Sequence, residues 1–314
     1  MVSIYREFNY LENIIKKSIV VIGNFDGVHL GHKAVLNYAK SLKNNNNEKV
    51  VVLTFYPHPL KVLRPEYAPK NILSFRSKVM KMKELGIDII VAQRFNKKFS
   101  NISAENFIKK IIYKKIRPKS LAVSNNFKFG RNRKGNVNLL KKFGKKFDYQ
   151  VFTIKPFKHL KKIVSSTKIR KLLKNGNIDL ANKLLSRTWS IEGRVAKGKK
   201  IGRKLGYRTC NINVKNYILP KKGIYAVKIA IGNKKNIYGG VAYLGSRPTF
   251  GGGNIFLEIN IFGIKKNLYK KRLKVFFLKF LRKDKKFDNP AQLIRQMNKD
   301  VIFAKKSLKT KIVL

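Results

Sequence analysis

Acidic residues are scarce in this chain: 15 Asp and Glu face 72 Lys and Arg, for a formal net charge of +57. That balance attracts anions, phosphates among them. Cysteine is nearly missing. Cys210 stands alone, so no internal disulfide can form. No apolar run approaches the ~20 residues of a membrane span, and the opening stretch MVSIYREFNYLEN has no secretory-signal core. These absences lead us to expect a cytoplasmic protein with no membrane partner. Histidine is also rare, at four residues, which lends weight to any two that fall close together.

What is present is enough to fold. The 314 residues suit about two domains, and 44% hydrophobic content supplies a sizeable core. The basic residues run evenly along the chain as Lys-Lys pairs, with no aromatic-interleaved basic tract. Asn, Ile, Phe, Tyr and Lys, all with A/T-rich codons, are abundant together. We read the charge as compositional drift and expect no specific nucleic-acid partner, although RNA would adhere non-specifically. A dedicated RNA-binding protein would instead concentrate its charge.

The segment GNFDGVHLGHKAV, at 23–35, carries the most information. It follows the apolar run Ile19–Ile22 and precedes a helical pattern. Gly23, Gly27 and Gly31 let backbone N–H groups approach a phosphate, His29 and His32 can donate to its oxygens, and a helix N-terminus adds positive dipole. The H-x-G-H form resembles the nucleotidyltransferase signature, which implies ATP or a related nucleotide here.

The first half alternates strand and helix. Strands are predicted at Ile19–Ile22, Val50–Phe55, Ile87–Ala92, Leu121–Val123 and Val151–Ile154. Helices are predicted over His32–Lys43, with Val35, Tyr38, Ala39 and Leu42 inward, and over Ser103–Ile116, capped by Ser103. This order implies an α/β domain with a Rossmann-like parallel sheet. The helices Thr167–Asn175 and Ile178–Ser186, separated by Gly176 as a C-cap, close this half. Beyond Arg187 the pattern turns strand-like: Trp189–Val195, Gly223–Ile231, Tyr238–Leu244, Phe256–Phe262 and Leu273–Phe280. These predict a small antiparallel β-barrel. A C-terminal helix capped by Asn289, with Pro290 first and Leu293, Met297, Val301, Ala304 and Leu308 as a stripe, should pack on the barrel.

Several motifs then occur in one order: GNFDGVHLGH, TFYPHP at Thr54–Pro59, NFKFG at Asn126–Gly130, SSTKIR at Ser165–Arg170, GRKLGYRTCNI at Gly202–Ile212, KGIYAV at Lys222–Val227, GVAYLGSRPTF at Gly240–Phe250 and LEINIF at Leu257–Phe262. In these the chain resembles the bacterial bifunctional riboflavin kinase/FAD synthetase family over nearly its whole length. The resemblance implies an FMN adenylyltransferase domain at 1–187 and a riboflavin kinase domain at 188–314. It also implies ATP, riboflavin and FMN as substrates and Mg²⁺ as cofactor.

Adenylyl transfer needs positioning and charge stabilisation more than acid–base help, since the FMN phosphate is already a nucleophile. His29 and His32 would bind the triphosphate, with Gly23, Phe25, Asp26, Gly27, Gly31 and Asn126 completing the nucleotide site. Ser165, Ser166 and Thr167 sit where a helix begins, and Lys168 and Arg170 could neutralise pyrophosphate. His58, between two prolines, reads equally well as part of a rigid turn. The kinase step needs a base for the riboflavin hydroxyl. Glu258, an acid among apolar neighbours in a predicted strand, is the candidate, as an interior carboxylate is costly without a task. Thr209 and Asn211 match the family's metal positions. Gly198 and Gly202 flank a loop that could cover phosphates, and Gly223 and Tyr225 are expected at the flavin. Departures cluster in this half: Arg208 stands where the family has proline, Tyr243 for asparagine, Asn260 for histidine and Gly263 for aspartate. They keep open a second reading, in which only FAD synthesis survives beside a drifted barrel.

Overall fold

The computed structural model describes residues 3–8, 15–196, 206–232, 236–245, 256–264 and 266–309. Gly198 and Gly202 lie outside them. The chain divides into two compact units, Met1–Pro69 with Phe75–Ser165, and Lys70–Ser74 with Ser166–Leu314. Helices at 166–185 thus group with the second unit, upstream of the division at 187/188 drawn from the sequence.

The first unit is an α/β layer structure. Its elements are β1 (Ser3–Tyr5), β2 (Ile19–Ile22), α1 (Leu30–Ser41), β3 (Val50–Tyr56), α2 (Pro59–Leu63), α3 (Phe75–Glu84), β4 (Ile89–Arg94), α4 (Lys97–Ser100), α5 (Ala104–Asn106), β5 (Ser120–Ser124), α6 (Val137–Phe147), β6 (Gln150–Ile154) and a small hairpin of β7 (Lys158–His159) and β8 (Lys162–Ile163). The six strands β1–β6 form one parallel sheet in the order β1-β4-β3-β2-β5-β6. All four residues of β2 are buried, as a strand covered on both faces demands, and this explains its unbroken β-branched run. α5 continues into a wide π-type helix, Phe107–Ile116, which buries Phe107, Ile108, Ile111 and Ile112 as the periodicity predicts. Ser103 Oγ caps α5 by accepting from Asn106 N at 3.1 Å. In α1 the inward residues are Leu36 and Ala39. Tyr38, predicted inward, is 40% exposed and meets Phe152 edge-on.

The second unit begins with the helical hairpin α7 (Ser166–Lys174) and α8 (Ile178–Leu185), turned at Gly176 with φ +78°. Then follow β9 (Ser190–Ala196), β10 (Thr209–Asn213), β11 (Gly223–Ile231), β12 (Ile237–Gly245), β13 (Phe256–Ile261), β14 (Arg272–Arg282) and α9 (Pro290–Ser307). The strands close an antiparallel barrel in the order β10-β13-β12-β11-β14-β9. Trp189, Tyr225 and Phe277 fill its interior. Trp189 Nε1 donates to Ile72 O at 2.9 Å, which satisfies the indole within the core. Asn182 of α8 is bonded twice to the barrel, accepting from Trp189 N at 2.7 Å and donating to Phe277 O at 3.1 Å. α9 lies on the barrel through its expected stripe and through an unexpected acid: buried Asp300 accepts from Arg282 Nε at 2.8 Å and Nη2 at 2.7 Å.

Candidate functional site

In the parallel sheet, β3 leaves β2 on one side and β5 pairs with it on the other. Chain connections therefore diverge at the carboxyl end of β2, the usual crevice for a ligand in an open α/β sheet. The loop that leaves β2 there is the 23–29 segment. Phe25, Gly27 and Val28 all have positive φ, at 50°, 90° and 40°. Such a conformation is costly for a β-branched residue, by about 1–3 kcal/mol, and Val28 is held there by complete burial.

His29 caps α1, its Nδ1 accepting from His32 N at 3.3 Å. A neutral ring that accepts at Nδ1 carries its proton at Nε2, as a donor. The His29 and His32 rings stack with centroids 3.6 Å apart, and Phe25 closes on His32 edge-on at 5.2 Å. Glycine at 31 is explained by this packing. A Cβ there would lie 3.2 Å from the His29 ring and 3.3 Å from Val164 O, so the first turn of α1 abuts the segment that leads into Ser165. A Cβ on Gly23 would press on the Phe25 ring at 3.1 Å. Two imidazoles at the N-terminus of a 12-residue helix make an anion site.

The other predicted residues of this half are placed as follows. Asn126 is exposed in the turn after β5, at the same carboxyl edge of the sheet, and Asp26 is half-buried in the loop. Ser166 and Thr167 open α7, while Arg170 Nε donates to Lys70 O at 2.9 Å. His58 is a cap, with Nδ1 accepting from Leu60 N at 3.2 Å. Its Nε2 lies 3.4 Å from the Asn24 amide, whose Oδ1 has no other partner. Protonated Nε2 is satisfied with that Oδ1 turned toward it. Sequence reasoning missed Lys78 of α3, which is buried beneath this loop. In a chain with 72 basic residues, nothing in spacing or composition marks one buried lysine.

In the barrel, strand register assembles the second set. Asn211 pairs with Glu258, and Glu258 with Tyr243; Thr209 pairs with Asn260. Directly paired residues, and those two apart, share a sheet face. Ile212, Leu257, Ile259, Ala242 and Leu244 are buried on the core face. Thr209, Asn211, Glu258, Asn260 and Tyr243 therefore lie on the outer face. Glu258 is half-buried there rather than interior to the barrel, because its neighbours in sequence, not the glutamate, take the core positions. Asn211 is 7% exposed. β10, which carries Thr209 and Asn211, was not among the predicted strands. A cavity of about 290 Å³ adjoins Thr209, lined also by Val195, Arg208, Cys210, Ile261 and Lys266 to Tyr269. Burial pushes the Cys210 thiol pKa up.

The departures in this half have local structural roles. Arg208 O accepts from Asn260 Nδ2 at 2.9 Å, and Tyr243 Oη donates to Asp284 Oδ2 at 2.7 Å. Gly263 has φ +72°, a turn conformation that suits glycine. Of the four departures, Asn260 pairs with Thr209 and Tyr243 with Glu258, and Arg208 precedes Thr209 in the chain. Tyr225, expected at the flavin, is wholly buried against Phe277 and Phe280 with its hydroxyl donating to Lys221 O. A Cβ on Gly223 would lie 2.2 Å from Arg282 O; there, close strand pairing requires the glycine.

Comparison with known proteins follows this division of sites. The FAD synthetase family model matches residues 11–168 and the riboflavin kinase family model matches 185–308. Proteins named bifunctional riboflavin kinase/FMN adenylyltransferase are similar along their length. One from Buchnera aphidicola subsp. Schizaphis graminum is 39% identical over 305 residues, covering 96% of this chain and 97% of its own. One from Escherichia coli K12 is 33% identical over 287 residues, covering 91% of each. A crystal structure described as a macrolide-efflux protein from Streptococcus pneumoniae has a TM-score of 0.85 at 28% identity, covering 97% of this chain and 98% of that one. That description concerns the other protein; among the described residues here, no helix is long and apolar enough to cross a membrane. With two family models in tandem and relatives matched from end to end, this chain belongs to the bifunctional riboflavin kinase/FMN adenylyltransferase family.

Proposed function

We propose that the chain makes FAD in two steps, each in its own part: riboflavin kinase chemistry in the barrel (188–314), and adenylylation of FMN in the α/β part (1–187). The observation that supports both steps over FAD synthesis alone is the intact row of Thr209, Asn211 and Glu258 on one barrel face. Two of the departures from the family pattern, Asn260 and Tyr243, pair with members of that row without breaking it.

In the barrel, Glu258 takes the proton from the riboflavin 5′-hydroxyl as that oxygen bonds to the γ-phosphorus of ATP, and ADP leaves. The donor set there fits Mg²⁺. Thr209 and Asn211 offer hard neutral oxygens beside one carboxylate, which suits an ion that keeps its remaining positions for phosphate and water. When bound, the ion would offset charge on the transferring phosphoryl group. In the α/β part, an FMN phosphate oxygen attacks the α-phosphorus of a second ATP and pyrophosphate departs. His29 and His32 hold the triphosphate by donating to its oxygens, and the α1 dipole stabilises the charge that grows on the leaving group. Glycine at 23 and 31 leaves room for the Phe25 and His29 rings to pack against the loop.

The test is separation of the steps by Glu258→Gln. This variant should lose FMN formation from riboflavin by at least about a thousandfold and keep FAD formation from supplied FMN. A variant that phosphorylates riboflavin normally would refute the assignment of the base.

A further inference from the structure

Lys78 belongs to no motif of the sequence, yet it is 9% exposed and sits in α3 against the loop that follows β2. Its Nζ donates to Asn24 O at 3.0 Å and to Thr54 Oγ1 at 3.1 Å. Thr54, itself wholly buried, donates to the same Asn24 O at 3.3 Å. One carbonyl of the loop is thus held from two elements at once, the end of β3 and the first turn of α3. Nearby, Gly23 N donates to Leu53 O at 3.0 Å. Asp26, two residues after Asn24, is the charge that favours the lysine's ammonium form. The ring of Phe75 lies 5.3 Å from Nζ.

Burial disfavours this charge and lowers the lysine pKa to about 8. A buried cation is expensive unless it is paired or has a task. Here the partners are a backbone carbonyl and a hydroxyl, which a neutral side chain could also serve. The segment it fastens has three departures from ordinary backbone within four residues, at Phe25, Gly27 and Val28. A conformation of that kind persists only where the surroundings over-determine it.

We propose that Lys78 is a positioning residue for adenylyl transfer: through Asn24 O and Thr54 Oγ1 it sets the phosphate loop that presents His29 and His32. The inference rests on the reading of this loop as the adenylyl-transfer site. It does not require Lys78 to touch either substrate. Misplacing a catalytic constellation by about 1 Å can cost 10²-fold, and removal of this anchor acts on the segment that leads directly into His29.

The experiment is steady-state kinetics of FAD formation from FMN and ATP by the full chain, comparing wild type with Lys78→Met, Lys78→Gln and Thr54→Val. Riboflavin phosphorylation by the same preparations controls for folding. Lys78→Met should lower kcat/KM for ATP by about a hundredfold, while KM for FMN moves less than threefold. Lys78→Gln keeps two N–H donors and should recover at least tenfold of that loss. Thr54→Val should cost three- to tenfold, and the double variant Lys78→Met with Thr54→Val should be no worse than Lys78→Met, since both act on one carbonyl. FMN formation should stay within twofold throughout. Wild-type-like FAD formation by Lys78→Met, or strict additivity of the pair, overturns the proposal. Should Lys78→Met fail to fold, the gain expected from Gln over Met is lost, and a Thr54→Val variant with unchanged FAD formation overturns the proposal by itself. If wild type makes no FAD from FMN, the parent reading fails and this inference falls with it.

Discussion

Replacing Lys78 by methionine should change how stability depends on pH, quite apart from catalysis. Burial lowers the lysine pKa from 10.5 to about 8. At about 1.4 kcal/mol for each tenfold in proton affinity, the protonated form carries a penalty of about 3 kcal/mol in the folded state. Below pH 8 both folded and unfolded chains hold the proton, and the penalty is present in full. Between pH 8 and 10.5 the unfolded chain holds more protons than the folded one, so stability rises with pH. Methionine cannot titrate. The stability of wild type relative to Lys78→Met should therefore climb by about 2 kcal/mol from pH 7 to 9.5 and level off beyond 10.5. Urea denaturation followed by circular dichroism at several pH values measures the difference, and other titrating groups cancel in the comparison. A wild-type-to-variant gap that stays flat with pH, or narrows in the opposite direction, would refute the claim that burial burdens this charge.

Three further outcomes are expected. His29→Ala should lose FAD formation by at least about a hundredfold and about 1 kcal/mol of stability from the missing helix cap, with FMN formation retained; flavin assays and melts of one preparation check both. Asp300→Ala leaves Arg282 without its bidentate partner and should destabilise the second unit by about 3–5 kcal/mol, seen as an earlier Trp189 fluorescence transition; a shift below about 1 kcal/mol would show that α9 is held by its apolar stripe alone. Chelation of divalent cations should stop both reactions, and added Mg²⁺ should restore them; activity that survives exhaustive chelation would remove the metal from the account.

Much of this architecture can be read from local chemistry. Short β-branched runs such as Ile19–Ile22 announce strands buried on both faces, and Asn289-Pro290 announces the start of α9. The H-x-G-H turn is legible because two of only four histidines fall three positions apart in it, beside glycine and after an apolar strand. Other features depend on pairings distant in sequence. β10 is five residues of mixed polarity, TCNIN, and becomes a strand through its ladder with β13. The same ladder puts Asn211 opposite Glu258, 47 positions apart in the chain numbering. The face that Glu258 occupies is likewise set by barrel closure, which gives Leu257 and Ile259 the core. Tyr225 sits in a motif yet fills the interior, because its position in β11 faces Phe277. Asp300 and Lys78 escaped notice for opposite reasons. One interrupts an apolar stripe and is buried against the half-buried Arg282; the other is a single lysine among many whose burial no local pattern records.

The central claim is that one chain carries both steps. Chromatography of flavins after the pure protein meets ATP, Mg²⁺ and riboflavin alone tests it most directly, with time points early enough to catch FMN. The account predicts FMN first and FAD after it, and FAD directly when FMN is supplied instead. FAD from FMN with no product from riboflavin would contradict it, and would mean that the row of Thr209, Asn211 and Glu258 no longer supports phosphoryl transfer.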